Sequence, residues 1–168
     1  MRLFLALEIP WCEEWSSLIS TDSLRQPTHH HLTIQFFGNL EHDDLTWIKQ
    51  KLDSFSFKSF SFKTNTKLSA FANWDRCRTV YIGVDSRQLT RLASQLQSLF
   101  RDRFVAKEFV PHITIGRVKG ELSEDALNGF QKVTLEPREI CVSELCLFES
   151  VFNNSGVSYN LLKKVKLT

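Results

Sequence analysis

Little in this 168-residue chain is present in excess, and the absences narrow what it can do. No apolar run approaches the roughly 18 residues that a bilayer-spanning helix needs. Leu3–Ile9 is too short for the core of an export signal and carries Glu8, so a cytoplasmic protein with no membrane partner is expected. Cys12, Cys77, Cys141 and Cys146 include no Cys-x-x-Cys pair, which argues against a zinc site or a thioredoxin-type motif. Four reduced thiols are expected. The six glycines form no P-loop, so the triphosphate cradle of a kinase or an ATP-driven ligase is missing. Charge is nearly balanced, 21 Lys and Arg against 19 Asp and Glu. A long duplex is therefore a poor candidate ligand, whereas one phosphate at a nucleotide or an RNA end stays open.

What is present is enough for a folded domain. Fourteen Phe and 42% hydrophobic residues exclude a disordered chain, and the length suits one domain with a sizeable core. Apolar spacing predicts strands over Arg2–Glu8, His31–Phe37, Thr79–Val84, Phe109–Ile115, Glu139–Phe148 and Val157–Lys166. Gly38 and Gly116 should stop the second and fourth of these, and Asn153–Gly156 should turn the last pair. Helical spacing marks Trp11–Ser20, Asp43–Leu52, Gln88–Phe104 and Ser123–Phe130. Phe55–Phe57 and Phe60–Phe62 alternate with period two but are out of phase across Lys58-Ser59, where a turn or bulge is expected. Thr21–His30 reads as a loop. Strands thus alternate with helices in an α/β or α+β arrangement without an internal linker.

One tetrapeptide pattern occurs twice, 81 residues apart: His31-Leu-Thr-Ile34 and His112-Ile-Thr-Ile115. With 11 Thr in the chain, two such hits among five His are about a 4% accident, so context must decide. Residues i and i+2 of a strand share a face, so each His lies beside its Thr while Leu32, Ile34, Ile113 and Ile115 point the other way. A strand that only packs a core has no reason to display an imidazole beside a hydroxyl. Two imidazoles suit phosphodiester cleavage by in-line displacement, one drawing a proton from water and the other protonating the leaving oxygen. With an ordinary pKa near 6.5, one ring can be neutral while the other is charged at about pH 7. The Thr33 and Thr114 hydroxyls can donate to non-bridging phosphate oxygens, and Arg117 can add a charge-assisted contact. Phe36 is a candidate base-binding side chain. Which His is acid and which base is not legible in the residues.

Parity raises two questions. His29 shares the face of His31 and could take its place, the register resting on Thr33 and Gly38. Arg117 and Phe36 each lie five residues after their His, an odd offset that puts both on the opposite face of an ideal strand. Either the strands bend near Gly38 and Gly116, or these side chains act from the rim.

The paired His-x-Thr motifs and the opening Arg2-Leu-Phe-Leu-Ala-Leu resemble the 2H phosphoesterase superfamily, in its bacterial RNA 2′,3′-cyclic phosphodiesterase (2′-5′ RNA ligase-like) branch. His31–Gly38, Phe109–Arg117, Cys146–Ser150 and Gly156–Tyr159 carry the likeness, which runs nearly the whole chain. It implies an α+β fold over residues 1–168, a single domain of two pseudo-symmetric, mostly antiparallel lobes flanked by helices around a central cleft. It also implies metal- and cofactor-independent opening of a nucleoside or RNA-terminal 2′,3′-cyclic phosphate to the 2′-phosphate, with reversible RNA end-joining as a further capacity. By this resemblance His31 is the proton donor and His112 the proton acceptor, assisted by Thr33 and Thr114. RNA ends or small cyclic nucleotides are the expected partners of a monomer. The alternative is a non-catalytic nucleotide- or RNA-end-binding module on the same fold.

Overall fold

The computed structural model describes residues 1–18, 22–154 and 156–168. Its first strand, β1 (Arg2–Ile9), is apolar on both sides: Leu3, Leu5, Leu7 and Ile9 enter the main core, and Phe4 and Ala6 enter a small aromatic cluster on the opposite face. After it come α1 (Glu13–Ser17), β2 (Leu24–Arg25) and β3 (His30–Asn39). Next are α2 (His42–Asp53), β4 (Phe60–Phe71), β5 (Thr79–Val84), α3 (Arg87–Phe100) and β6 (His112–Val118). The chain closes with α4 (Glu124–Lys132), β7 (Glu139–Val142), β8 (Glu144–Asn153) and β9 (Gly156–Lys166). The fold is α+β.

Eight strands follow one path, β7-β4-β5-β6-β3-β1-β8-β9, and β2 pairs separately with β6. All the pairings are antiparallel. Two halves of four strands meet between β3 and β6, where the register comprises one pair, Leu32 opposite Ile113. In one half β1, α1 and β3 follow in sequence; in the other β5, α3 and β6 do. A His-x-Thr motif therefore lies on each inner strand, and the two inner strands are neighbours.

Helix α3 supports both halves. Ser86 accepts the Leu89 amide at 3.3 Å as its N-cap, and Leu89, Leu92, Ala93, Leu96 and Phe100 form the buried stripe. The expected helix to Phe104 ends at Phe100, and a single further turn closes beyond it, with the Arg103 and Phe104 amides both donating to the Phe100 carbonyl. Phe104 still packs inward, its ring edge-on to Phe37 at 4.9 Å. Strand β6 opens at His112 rather than Phe109, since Pro111 has no amide to donate to a ladder. The Glu139–Phe148 segment is two strands divided at Ser143, and Phe55–Phe57 joins no ladder although both rings pack on the core. The expected loop after α1 contains the two residues of β2. Ile19–Thr21 and Ser155, at the end of the expected first helix and in the Asn153–Gly156 turn, lie outside the described residues. Among the described residues no helix is long and apolar enough to cross a membrane, and all four cysteines are unpaired.

Candidate active site

The odd-offset question is answered by matching irregularities in the two inner strands. Along β3, Thr33 stands opposite Ala6 and Gln35 opposite Leu5, so Ile34 is an extra residue with no partner. Along β6, Thr114 stands opposite Tyr81 and Gly116 opposite Val80, so Ile115 is extra in the same way. Each bulge shifts the side-chain phase by one. Consecutive buried residues mark both slips, Ile34-Gln35 and Ile115-Gly116. Beyond the bulge Phe36 stands opposite Phe4, on the face of His31 and Thr33, and Arg117 stands opposite Thr79, on the face of His112 and Thr114. Phe36 and Arg117 are thus equivalent positions of the two halves. Gly38 does not end β3; at φ +86° it passes through a second irregularity, and pairing continues to Asn39.

Each imidazole is wedged between two aromatic rings. His31 lies 5.5 Å from Phe4 and 5.2 Å from Tyr159, centroid to centroid. His112 lies 4.9 Å from Phe71 and 5.4 Å from Tyr81. The Nδ1 of His112 is 2.7 Å from the Val110 carbonyl oxygen. A carbonyl only accepts, so Nδ1 carries the proton, and in the neutral ring Nε2 is left as an acceptor. The His29 carbonyl, also two residues upstream, favours protonation of His31 in the corresponding way.

Burial dominates the electrostatics of the free site. It pulls His31 down to about 4, with further lowering from Arg117 and from His112. It also pulls His112 below the ordinary imidazole value; the Val110 carbonyl opposes that shift and Arg117 adds to it. One guanidinium therefore acts on both rings, and the free site holds both imidazoles toward the neutral form. The expectation of one charged and one neutral ring does not hold for the empty site.

The other two histidines of the triple are placed apart. His30 is buried, stacked on Trp11 at 4.4 Å and edge-on to Trp15, and burial lowers its pKa. Its ring nitrogens face the Cys12 and Thr114 backbone without meeting either in hydrogen-bond geometry. His29 is exposed, its Nδ1 3.0 Å from the Thr28 hydroxyl. His31 lines a cavity together with Arg117, whereas His29 and His30 line another with Trp11 and Tyr159.

Two cavities meet at Thr33 and Phe36. One, of about 410 Å³, is walled by His31 and Arg117 together with Arg2, Arg25, Phe152 and Tyr159. The other, of about 290 Å³, is walled by His112 with Phe71, Lys107 and Phe109. Five of the six residues expected from the sequence border one cavity or the other; Thr114 borders neither and is placed by the register, opposite Tyr81 on the face of His112 and Arg117. Sequence reasoning missed Arg2, Arg25, Phe71, Tyr81 and Tyr159, which reach the site across strand pairings that local periodicity does not encode. Among the described residues no group of three or more His, Cys, Asp or Glu side chains is placed to hold a metal ion.

An antiparallel sheet carrying a His-x-Thr motif on each of two adjoining strands is the arrangement that the resemblance to two-histidine phosphoesterases implies. Comparison with known proteins agrees. A family model described as LigT like Phosphoesterase matches residues 82–159. The RNA 2′,3′-cyclic phosphodiesterase of Thermotoga maritima is 31% identical over 143 residues, covering 79% of this chain and 72% of that protein. The enzyme of the same name from Archaeoglobus fulgidus is 27% identical over 177 residues, covering 97% and 98%. Escherichia coli LigT, solved in complex with 3′-AMP, superposes with a TM-score of 0.74 at 25% identity, covering 99% of this chain and 98% of that one. A Thermus thermophilus protein shares the fold with a TM-score of 0.77 at 22% identity, covering 99% and 97%. The chain belongs to the LigT-like family of 2H phosphoesterases, and it is a phosphodiesterase.

Proposed function

We propose that the protein opens nucleoside or RNA-terminal 2′,3′-cyclic phosphates to the 2′-phosphate without a metal, with His112 as base and His31 as acid. Residues 1–168 act as one domain of two pseudo-repeat lobes, each contributing one motif. Both histidines come from one chain, so a monomer suffices, and its place of action is the cytoplasm. The observation that carries the reading is the placing of one His-x-Thr motif on each of the adjoining strands β3 and β6. The 2.7 Å contact from His112 Nδ1 to the Val110 carbonyl leaves its Nε2 free to accept, and the division of roles between the two rings follows the family resemblance. Water attacks phosphorus as Nε2 takes its proton; the bond to the 3′ oxygen breaks as His31 protonates that oxygen. The Thr33 and Thr114 hydroxyls donate to the non-bridging oxygens, where negative charge builds, and Arg117 balances it. Phe36 forms the wall between the two cavities, beside the nucleoside.

The acid role needs a proton that the empty site does not hold on His31. A bound phosphate anion supplies the field that Arg117 opposes, and so recruits it. The same groups, acting in the same direction on a 5′-hydroxyl in place of water, would form a 2′-5′ linkage as the bond to the 3′ oxygen breaks, and so join RNA ends. The relatives named above as RNA 2′,3′-cyclic phosphodiesterases and the LigT complex with 3′-AMP support a nucleotide substrate.

Product analysis with 2′,3′-cyclic nucleotides tests the reading. The expected product is the 2′-monophosphate, with rates falling roughly 10²–10⁴-fold in His31→Ala and in His112→Ala. A p-nitrophenyl ester, whose leaving group needs no proton, should rescue His31→Ala and not His112→Ala. Rescue of His112→Ala alone would reverse the roles. Stoichiometric binding of the cyclic nucleotide without turnover would instead make the protein a nucleotide-binding module.

A further inference from the structure

The larger cavity holds more positive charge than one phosphate requires. Arg2, Arg25 and Arg117 all line it, and no Asp or Glu does. Among the described residues none of these three guanidinium groups is in a salt bridge, whereas Arg103, Arg138, Lys51, Lys163 and Lys164 are. Arg25 is placed by β2, a two-residue strand whose pairing with β6 sets Arg25 directly opposite Arg117. Like charges directly opposed across a strand pair repel, and among the described residues neither is paired with a carboxylate. Such an arrangement gains when an anion enters.

Arg2 is fixed by different means. Its guanidinium carbon lies 4.9 Å from the Phe36 ring centroid and 5.3 Å from that of Phe152, an exposed aromatic on β8. Aromatic contacts of this kind orient a guanidinium while leaving its in-plane N–H groups free to donate to an oxyanion. The cyclic phosphate already has the two histidines, two threonine hydroxyls and Arg117. Arg2 and Arg25 are surplus to it.

We propose that Arg2 and Arg25 bind a second phosphate, esterified to the 5′ oxygen of the nucleotide whose cyclic phosphate sits between the histidines. This rests on the cyclic-phosphate reading above and deepens it. The second phosphate has two sources: a terminal 5′-monophosphate, or the diester that links the last nucleotide of an RNA to the one before it. Either makes an unadorned nucleoside cyclic phosphate the poorer substrate.

Three substrates with the same terminal base separate these cases: a nucleoside 2′,3′-cyclic phosphate, the same compound with a 5′-phosphate, and a dinucleotide ending in the cyclic phosphate. In the wild type kcat/KM should rise about tenfold or more from the first to either of the others. In Arg25→Gln and in Arg2→Gln that ratio should shrink several-fold each, and Arg25→Lys should retain part of it. The advantage should also fall with added salt more steeply than turnover of the first substrate does. If the dinucleotide gains and the 5′-phosphorylated nucleoside does not, the diester is the source; equal gains make any 5′-phosphate sufficient. A ratio near one in the wild type, or a ratio unchanged in both Gln variants, overturns the second-phosphate site. Failure of all three substrates to turn over would overturn the cyclic-phosphate reading itself, a separate result.

Discussion

The protonation scheme makes the pH profiles of kcat and kcat/KM differ, and by a calculable amount. In the free enzyme burial and Arg117 hold His31 at about 4, so at pH 7 about one molecule in a thousand carries the proton the acid must deliver. A cyclic phosphate monoanion about 5 Å from the ring, at an effective dielectric near 20, favours the imidazolium by roughly 3 kcal/mol, or about two pKa units. The sign is upward, because an anion stabilises the charged form. Binding should therefore draw a proton from solvent onto His31. Since kcat/KM reports the free enzyme and kcat the complex, the alkaline limb of kcat should lie about one to two pH units above that of kcat/KM. Both limbs of kcat/KM should lie below about 6.5, because both imidazoles are lowered in the free site. Steady-state constants for a 2′,3′-cyclic nucleotide between pH 4 and 9 give the two profiles. Calorimetric titration with a nucleoside 2′-phosphate in buffers of different ionisation enthalpy counts the proton taken up. Superimposable profiles with no proton uptake would refute the reasoning.

Arg117→Ala should raise the free-enzyme pKa of both histidines and so shift the kcat/KM profile to higher pH. It should also weaken phosphate binding about 10–100-fold, the range of a lost charge-assisted hydrogen bond; a normal KM with an unmoved profile would reduce Arg117 to a solvated charge. Activity should persist after dialysis against excess EDTA, and loss restored by Zn²⁺ or Mn²⁺ would refute metal independence. Phe36→Ala should impair base-bearing substrates more than a cyclic ribose phosphate lacking the base, with equal losses showing that the ring acts only through Arg2 and the core. His29→Ala should be tolerated, within about threefold of wild-type kcat/KM, because the exposed His29 ring lies outside the cavity wall that His31 forms.

Much of this could be read before any coordinates, and the part that could not has definite causes. The apolar run of Arg2–Glu8, the limits of Thr79–Val84 and the stripe of α3 are signals of local burial, and local burial is what apolar runs and periodicity record. The two His-x-Thr pairs were legible because parity holds across two residues. Parity then failed at Ile34 and Ile115, where a β-branched residue suited to any strand occupies a bulge. Nothing in either tetrapeptide distinguishes that residue from a paired one; the slip exists only against β1 and β5. Strand β2 was hidden for the same reason, since two residues have no period and Leu24-Arg25 is a strand only because β6 lies beside it. Phe55 and Phe57 mislead in the opposite direction, alternating like a strand while packing as a non-ladder segment. The lowered histidine pKa values were beyond the sequence too, because they depend on rings brought in by Phe4, Phe71, Tyr81 and Tyr159.

The joint between the halves gives aliphatic side chains an unusual responsibility. Leu32 and Ile113, the pair that joins β3 to β6, are wholly buried, and each sits between the His and the Thr of its own motif. They anchor from the core the one rung that joins the inner strands, and that rung is the gauge between the two histidines, the proposed acid and base. In-line displacement tolerates little error in that gauge, since an ångström of misplacement can cost about a hundredfold in rate. Trimming Leu32 or Ile113 by one methylene would leave every polar group in place and still detune the reaction. A directed search for altered activity in this scaffold therefore has reason to begin at two greasy residues that no substrate ever meets.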